Sequence, residues 1–418
     1  MTAVNPTPGG VSRRRLLSRG SLAIGGAAVA GAALGAGVGA GVGRSRAPGG
    51  EGAPPSAGLG TATEPFFGEH QSGIETAPQA SAAFLALDLS EGVGREAIAR
   101  LMRLLTDDAA RLTQGKPALA DTEPELAALP ARLTVTFGFG PGLFRSAGLP
   151  HLCPVSQLPG FRVDQLEERW CGGDLLVQIC ADDPVTVTHA LRMIVKDARP
   201  FASVRWVQQG FRRAAGVAPS GATQRNLMGQ LDGTVNPAPG TAAFAAAVWG
   251  VDGPPWLRGG TTMVVRRIRI ELETWDAVDR AGKEFAVGRR LDDGAPLTGT
   301  AEHDPPDFDA LNERGFPVIS EFAHIRRAHV ADERLRILRR PYNYDGPPGP
   351  DGQPDSGLIF VSFQADVDRQ FLPIQRRLDE MDLLNEWTTP VGSAVFAIPP
   401  GCAEGGFIGE TLLGDRWL

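Results

Sequence analysis

Leu175-Leu-Val-Gln-Ile-Cys-Ala-Asp182 and Leu358-Ile-Phe-Val-Ser-Phe-Gln-Ala-Asp366 share one grammar: an apolar run, then Ala-Asp, then a segment of helical spacing. A short apolar run bounded by a turn signal is a strand buried on both faces, and the spacing that follows it is that of a helix packed on the strand. Two copies of one strand-and-helix unit, 183 positions apart, point to an internal duplication of an α+β unit. The surrounding sequence agrees. Ala82-Ala-Phe-Leu-Ala-Leu-Asp-Leu89, Leu133-Thr-Val-Thr-Phe-Gly-Phe139 and Thr261-Thr-Met-Val-Val-Arg-Arg-Ile-Arg-Ile270 predict further strands. Residues 96–105 place Ile98, Leu101, Met102 and Leu105 at helical spacing, and residues 184–196 predict a second helix.

The expected fold is therefore α+β, with two ferredoxin-like units of antiparallel sheet facing each other. The Pro/Gly/Ala-rich stretch from Asn236 to Thr241 marks the break, giving units at 65–236 and 237–418. Two such units packed together can enclose a ligand at their interface.

The N-terminus differs in kind. Ser12-Arg13-Arg14-Arg15-Leu16-Leu17 is a twin-arginine pattern, followed by an uncharged, weakly apolar Gly/Ala/Val stretch from Gly20 to Gly43. We read residues 1–46 as an export signal handled by the twin-arginine translocase, with a retained anchor as the alternative, and 47–64 as a flexible linker. That route carries folded proteins, so the signal itself hints at a cofactor loaded before export. The expected location is extracellular, cell-surface or periplasmic. The first 46 residues hold six Arg and no acid, so removing them takes the formal charge from −7 to −13. A body that acidic has no electrostatic footprint for nucleic acid. Cys153, Cys171, Cys180 and Cys402 form no C-x-x-C pair, which excludes ribbon-type zinc; one disulfide is possible, and buried free thiols are the simpler reading.

Six His limit the options for metal chemistry, and no H-E-x-x-H, G-x-S-x-G or Walker A pattern occurs. Three segments stand out. Gly229-Gln-Leu-Asp232-Gly233-Thr234-Val-Asn-Pro237 sets an Asp between glycines, where it is either an ordinary turn or a general base. Glu321-Phe-Ala-His324-Ile-Arg-Arg-Ala-His329 places a His among apolar residues, either a packed His or an iron ligand. Leu335-Arg-Ile-Leu-Arg339-Arg340-Pro-Tyr-Asn-Tyr344 offers a guanidinium that, turned inward, stabilises an anion forming in a dry site.

Taken in order, these segments resemble the dye-decolourising peroxidase family. Phe67-Gly-Glu-His-Gln-Ser-Gly-Ile74 is similar to its opening signature, Asn226 to Thr234 to its G-x-x-D-G motif, His324-Ile-Arg to its proximal ligand segment, and Leu338-Arg339-Arg340 to its distal arginine segment. Gly357-Leu-Ile-Phe360 is similar to the distal strand. The likeness runs from about Phe66 to Leu418 and suggests the exported bacterial branch, which includes deferrochelatase-like proteins linked to iron uptake. It implies two ferredoxin-like units packed as a β-barrel, with haem b (iron protoporphyrin IX) between sheet and helices of the C-terminal unit. His324 would hold the iron. Asp232 and Arg339 would be catalytic, and Arg339, Leu358, Phe360, Gly233 and Thr234 would border the cofactor. The implied reaction reduces hydrogen peroxide and oxidises dyes, phenols or a protein reductant through a high-valent iron-oxo intermediate. The alternative is haem or iron handling, with iron-uptake or copper-handling partners. Trp387 and Tyr344 are candidate electron relays to the surface. Pro341 departs from the Gly that many relatives carry after the two Arg, and leaves open which of Arg339 and Arg340 turns inward; Arg339 is the choice.

Overall fold

A computed structural model describes residues 58–414 apart from 220, 251–252, 350–351 and 353. The signal segment lies outside the described residues, as does the linker up to residue 57.

Both copies of the strand-Ala-Asp-helix unit form as the sequence indicates. In the first half β1 (Ser81–Leu89), β2 (Thr134–Phe139), β3 (Leu175–Ala181) and β4 (Ala202–Phe211) make an antiparallel sheet in the order β2-β3-β1-β4. Helix α1 (Arg95–Leu112) joins β1 to β2, and α2 (Pro184–Ala198) joins β3 to β4. In the second half β5 (Thr261–Ile270), β6 (Leu338–Arg339), β7 (Tyr342–Gly346), β8 (Asp355–Gln364) and β9 (Thr388–Ile398) repeat that order as β7-β8-β5-β9, with β6 also on β8. Helix α3 (Leu372–Met381) stands where α2 stands in the first half. Asp183 caps α2, accepting from the Thr186 amide, and Asp366 caps the turn Val367–Phe371 that leads into α3, accepting from the amides of Asp368 and Arg369.

The two halves meet at two thin seams, Phe139 opposite Ala397 and Phe211 opposite Asn343. With these seams every one of the eight long strands has a neighbour on both sides. Both faces of β1 are covered, one by helices and the other by an inner core, which explains why it is apolar without alternation. Ala83, Leu85 and Leu87 face the helices, while Ala82, Phe84 and Ala86 face an inner core with Tyr342, Ile359 and Phe396. Ile98, Leu101, Met102 and Leu105 of α1 are fully buried against the outer face, each worth about 1.5–3 kcal/mol relative to exposure.

Residues 58–64 differ from the linker expectation. Ala131 N–H donates to Gly60 O, Arg132 N–H to Ala62 O, and the Arg132 guanidinium pairs with Glu64 at 2.8 Å. The ordered body thus begins before residue 65. All four Cys are free thiols, and no helix among the described residues is long and apolar enough to cross a membrane.

Candidate functional site

One cavity of about 530 Å³ lies against the outer face of the second-half sheet. Ile359, Val361 and Phe363 of β8 point into the inner core, so strand alternation turns Leu358 and Phe360 the other way, into the cavity wall. Ile268 and Ile270 of β5 extend that wall; Ile374 and Leu378 of α3, with His324, face it.

His324 opens a single helical turn, His324–Arg327. That turn is fastened to α3 by a reciprocal pair: Arg327 Nε donates to Arg377 O at 3.1 Å, and Arg377 Nε donates to Arg327 O at 3.0 Å. Leu383 N–H donates to Phe322 O at 3.0 Å, which brings the end of α3 beside the ring. There Asp382 accepts the His324 Nδ1 hydrogen at 2.6 Å through one carboxylate oxygen and the Leu384 amide at 3.0 Å through the other. Asp382 is buried. Burial works against a charged His324 ring, but the Asp382 carboxylate outweighs it and raises the histidine above its ordinary value. A donated Nδ1–H fixes the tautomer and leaves the Nε2 lone pair free for a metal. Nε2 has no hydrogen-bond partner among the described residues. Asp382 was not legible in the sequence: Met-Asp-Leu-Leu after a helix is an unremarkable cap, and its role comes from a partner 58 residues away.

Asp232 reaches the same cavity from the loop before the second half. Gly229 and Gly233 hold φ of 81° and 132°, a region that favours glycine. A Cβ at Gly233 would meet only ordinary contacts at 3.7 and 3.8 Å. The positive φ alone calls for glycine at this position; Gly233 is not among the residues lining the cavity, whereas Thr234 is. Thr234 and Thr223 both donate to Glu302, at 2.9 and 2.5 Å.

Arg339 and Arg340 separate cleanly. Arg339 lines the cavity and donates Nη1 to Asp232 at 2.7 Å. Its backbone is held by Asn236, whose amide donates to Arg339 O at 2.7 Å and accepts from Arg339 N at 3.1 Å. Arg340 points into the inner core, bonded to Thr76 O and Gln79. Pro341 does not disturb this alternation. His329 is exposed at the cavity rim. Trp387 is partly buried, 5.1 Å from the ring of buried Trp275 in an edge-to-face pair. Tyr344 is buried, with the Arg267 guanidinium 4.1 Å over its ring. Neither of these two lines the cavity.

An imidazole with a bare Nε2 and a carboxylate-guanidinium pair on one mostly apolar cavity is the donor set of a haem oxidoreductase. Comparison with known proteins gives the same class. Residues 71–212 match the N-terminal and 223–403 the C-terminal Dyp-type peroxidase families. A dye-decolorizing peroxidase of Thermobifida fusca is 40% identical over 359 residues, covering 82% of this chain and 83% of that protein. A deferrochelatase of Escherichia coli K12 is 36% identical over 372 residues, covering 84% and 87%. The crystal structure of a DyP-type peroxidase from Cellulomonas bogoriensis superposes with a TM-score of 0.83 at 53% identity, covering 86% of this chain and all of that one. The chain belongs to the Dyp-type peroxidase family and is a haem peroxidase, a hydrogen peroxide-dependent oxidoreductase.

Proposed function

We propose that the cavity takes haem b, with His324 as the residue that would hold the iron and Asp232 and Arg339 as the groups that act on hydrogen peroxide. The observation that carries this is the shared cavity: a ligand nitrogen freed by the Asp382 contact, and a carboxylate already paired with a guanidinium at 2.7 Å. The residues fit the group, since Leu358, Phe360, Ile268 and Ile374 offer apolar walls for a porphyrin and Asp382 supports the ligand histidine. Haem lies on this reading between sheet and helices of the C-terminal unit. Each half has the strand order of a ferredoxin-like unit, and the two seams support a β-barrel built from units at 65–236 and 237–418.

When bound, haem supplies the iron that takes up the two oxidising equivalents of peroxide and passes them to reductant. Asp232 removes the proton from one peroxide oxygen and delivers it, directly or through water, to the departing one. Arg339 stabilises the negative charge developing on that oxygen and keeps Asp232 oriented. Asp382 holds the His324 tautomer and raises the basicity of its ligand nitrogen.

Dyes, phenols or a protein reductant too large for the cavity would deliver electrons at the surface. Trp387 suits this better than Tyr344, because it couples through Trp275 to the cavity wall residue Met228, whose carbonyl accepts from Trp275 Nε1 at 3.1 Å. Tyr344 must shed its phenolic proton on oxidation, and its buried hydroxyl has no acceptor among the described residues. Trp387→Phe is expected to slow oxidation of a bulky dye at least tenfold while peroxide consumption with a small reductant is unchanged. Equal dye rates in both proteins would remove Trp387 from the path.

The twin-arginine pattern supports export, with the translocase as a transient partner. The deferrochelatase relatives support a second reading, release of iron from haem for uptake. The visible spectrum of the purified protein, before and after one equivalent of hydrogen peroxide, separates the two. A haem band that converts within seconds and returns on adding reductant is the peroxidase result. A band unmoved by peroxide favours iron handling and reduces Asp232 and Arg339 to structural roles.

A further inference from the structure

Reducing one hydrogen peroxide to two waters takes two electrons and two protons, since peroxide carries two hydrogens and the waters carry four. An electron that travels through tryptophan side chains from the surface brings no proton with it. Asp232 passes on only the proton it took from peroxide. On the site reading proposed above, both further protons must therefore enter the cavity from solvent.

The apolar walls offer no carrier, and most polar groups at the Asp232 end are committed. Arg289 and Arg339 keep their protons. The Asn236 amide is spent on both backbone groups of Arg339. Asp304 accepts from the amides of Thr300 and Ala301 and from the Thr300 hydroxyl, which holds its carboxyl below the usual range and leaves it a poor proton donor near neutrality. His303, exposed at the rim, is the competing entry.

Thr234 is different. It lines the cavity two residues beyond Asp232, and its hydroxyl donates to Glu302 Oε1 at 2.9 Å. A hydroxyl can accept one proton while giving up another, so it relays a proton without ionising. Glu302 is half-buried. One of its oxygens takes both Thr223 and Thr234; the other has no partner among the described residues and is not sealed from solvent. Arg289 fixes the glutamate backbone, donating Nη1 to Glu302 O at 2.7 Å. Thr223 and Thr234 flank the loop that the Arg225–Leu231 bridge closes, so the carboxylate is held against both ends of the segment carrying Asp232.

We propose that Glu302 and Thr234 form the proton entry of this enzyme. Glu302 takes a proton from water and gives it to the Thr234 oxygen, while the Thr234 hydrogen moves inward. The carboxylate left behind is reprotonated from solvent. Only O–H bonds are made and broken, and one passage accompanies each electron.

Glu302→Gln is the test, because its amide oxygen still accepts from both threonines but carries no proton. The holoenzyme is mixed with one equivalent of hydrogen peroxide and then with ferrocyanide, a donor of electrons alone, in H2O and in D2O. The haem band reports the two phases, and a pH indicator in weak buffer reports proton uptake. Haem content, melting temperature and the peroxide phase should match wild type. Return of the resting band and proton uptake should both slow at least about tenfold, as loss of a positioned proton carrier implies. The slowed phase should also show a larger solvent isotope effect than wild type, which a merely structural glutamate would not produce. Thr234→Val breaks the other link and should slow the same phase; it decides alone if Glu302→Gln does not fold. A return as fast as wild type, or one slowed by His303→Gln instead, overturns the proposal and leaves the site reading intact. A wild-type haem band unmoved by peroxide overturns both.

Discussion

Replacing His324 with alanine is expected to strip the enzyme of haem. Among the described residues the His324 imidazole is the one side chain on this cavity that combines a fixed tautomer with an unengaged ring nitrogen. Apolar walls alone give a porphyrin affinity without anchoring its iron. Removing a carboxylate that hydrogen-bonds a ligand histidine, as Asp382 does His324, typically costs about 10–100-fold in metal affinity, and loss of the ligand itself should cost on the order of 100-fold or more. The check is the ratio of haem to protein absorbance after size-exclusion chromatography. A drop of that size, with the variant still melting cooperatively, is the expected outcome. The truncation also leaves the buried Asp382 carboxylate with one fewer partner, a penalty of about 1–3 kcal/mol. Some loss of melting temperature therefore accompanies it, and added imidazole should restore part of the haem spectrum. Full haem occupancy with an unaltered spectrum would show that another group holds the iron.

The parts of this site that could be read from the sequence are those whose signal is local. Gly-x-x-Asp-Gly needs glycine at positive φ on either side of Asp232, whereas which of Arg339 and Arg340 turns inward stayed open in the sequence and is seen only in their partners. The duplicated strand-Ala-Asp unit was legible for the same reason, since burial on both faces leaves an uninterrupted apolar run. What the sequence could not yield depends on contacts between distant segments. Asp382 matters because the end of α3 lies beside residue 324, and nothing in Met-Asp-Leu-Leu foretells that. The seams closing the two sheets rest on single pairs such as Phe139 with Ala397, too few residues to leave a pattern. Residues 58–64 have a linker's composition and are fixed by bonds to distant segments: backbone bonds to 131–132, the Glu64–Arg132 ion pair and the Gln114 amide on Glu64 O.

Asp232→Asn is expected to slow the reaction with hydrogen peroxide by roughly 10²–10⁴-fold, the usual contribution of a positioned proton acceptor. Asparagine keeps the shape and can still accept from Arg339 through its carbonyl oxygen, so haem content and the resting spectrum should match wild type. It cannot take up a proton. Stopped-flow mixing with peroxide, followed in the haem band, gives the second-order rate directly. The companion change, Arg339→Leu, tests a different contribution: it removes the positive charge that stabilises the departing oxygen and frees Asp232 from its 2.7 Å partner. If both variants are slow, proton transfer and charge stabilisation act together, as the shared contact implies. If Arg339→Leu is slow and Asp232→Asn is as fast as wild type, the proton moves through solvent and Asp232 serves only to hold the guanidinium in place. The asymmetry between the two variants, more than either rate alone, decides which of these groups performs the chemistry.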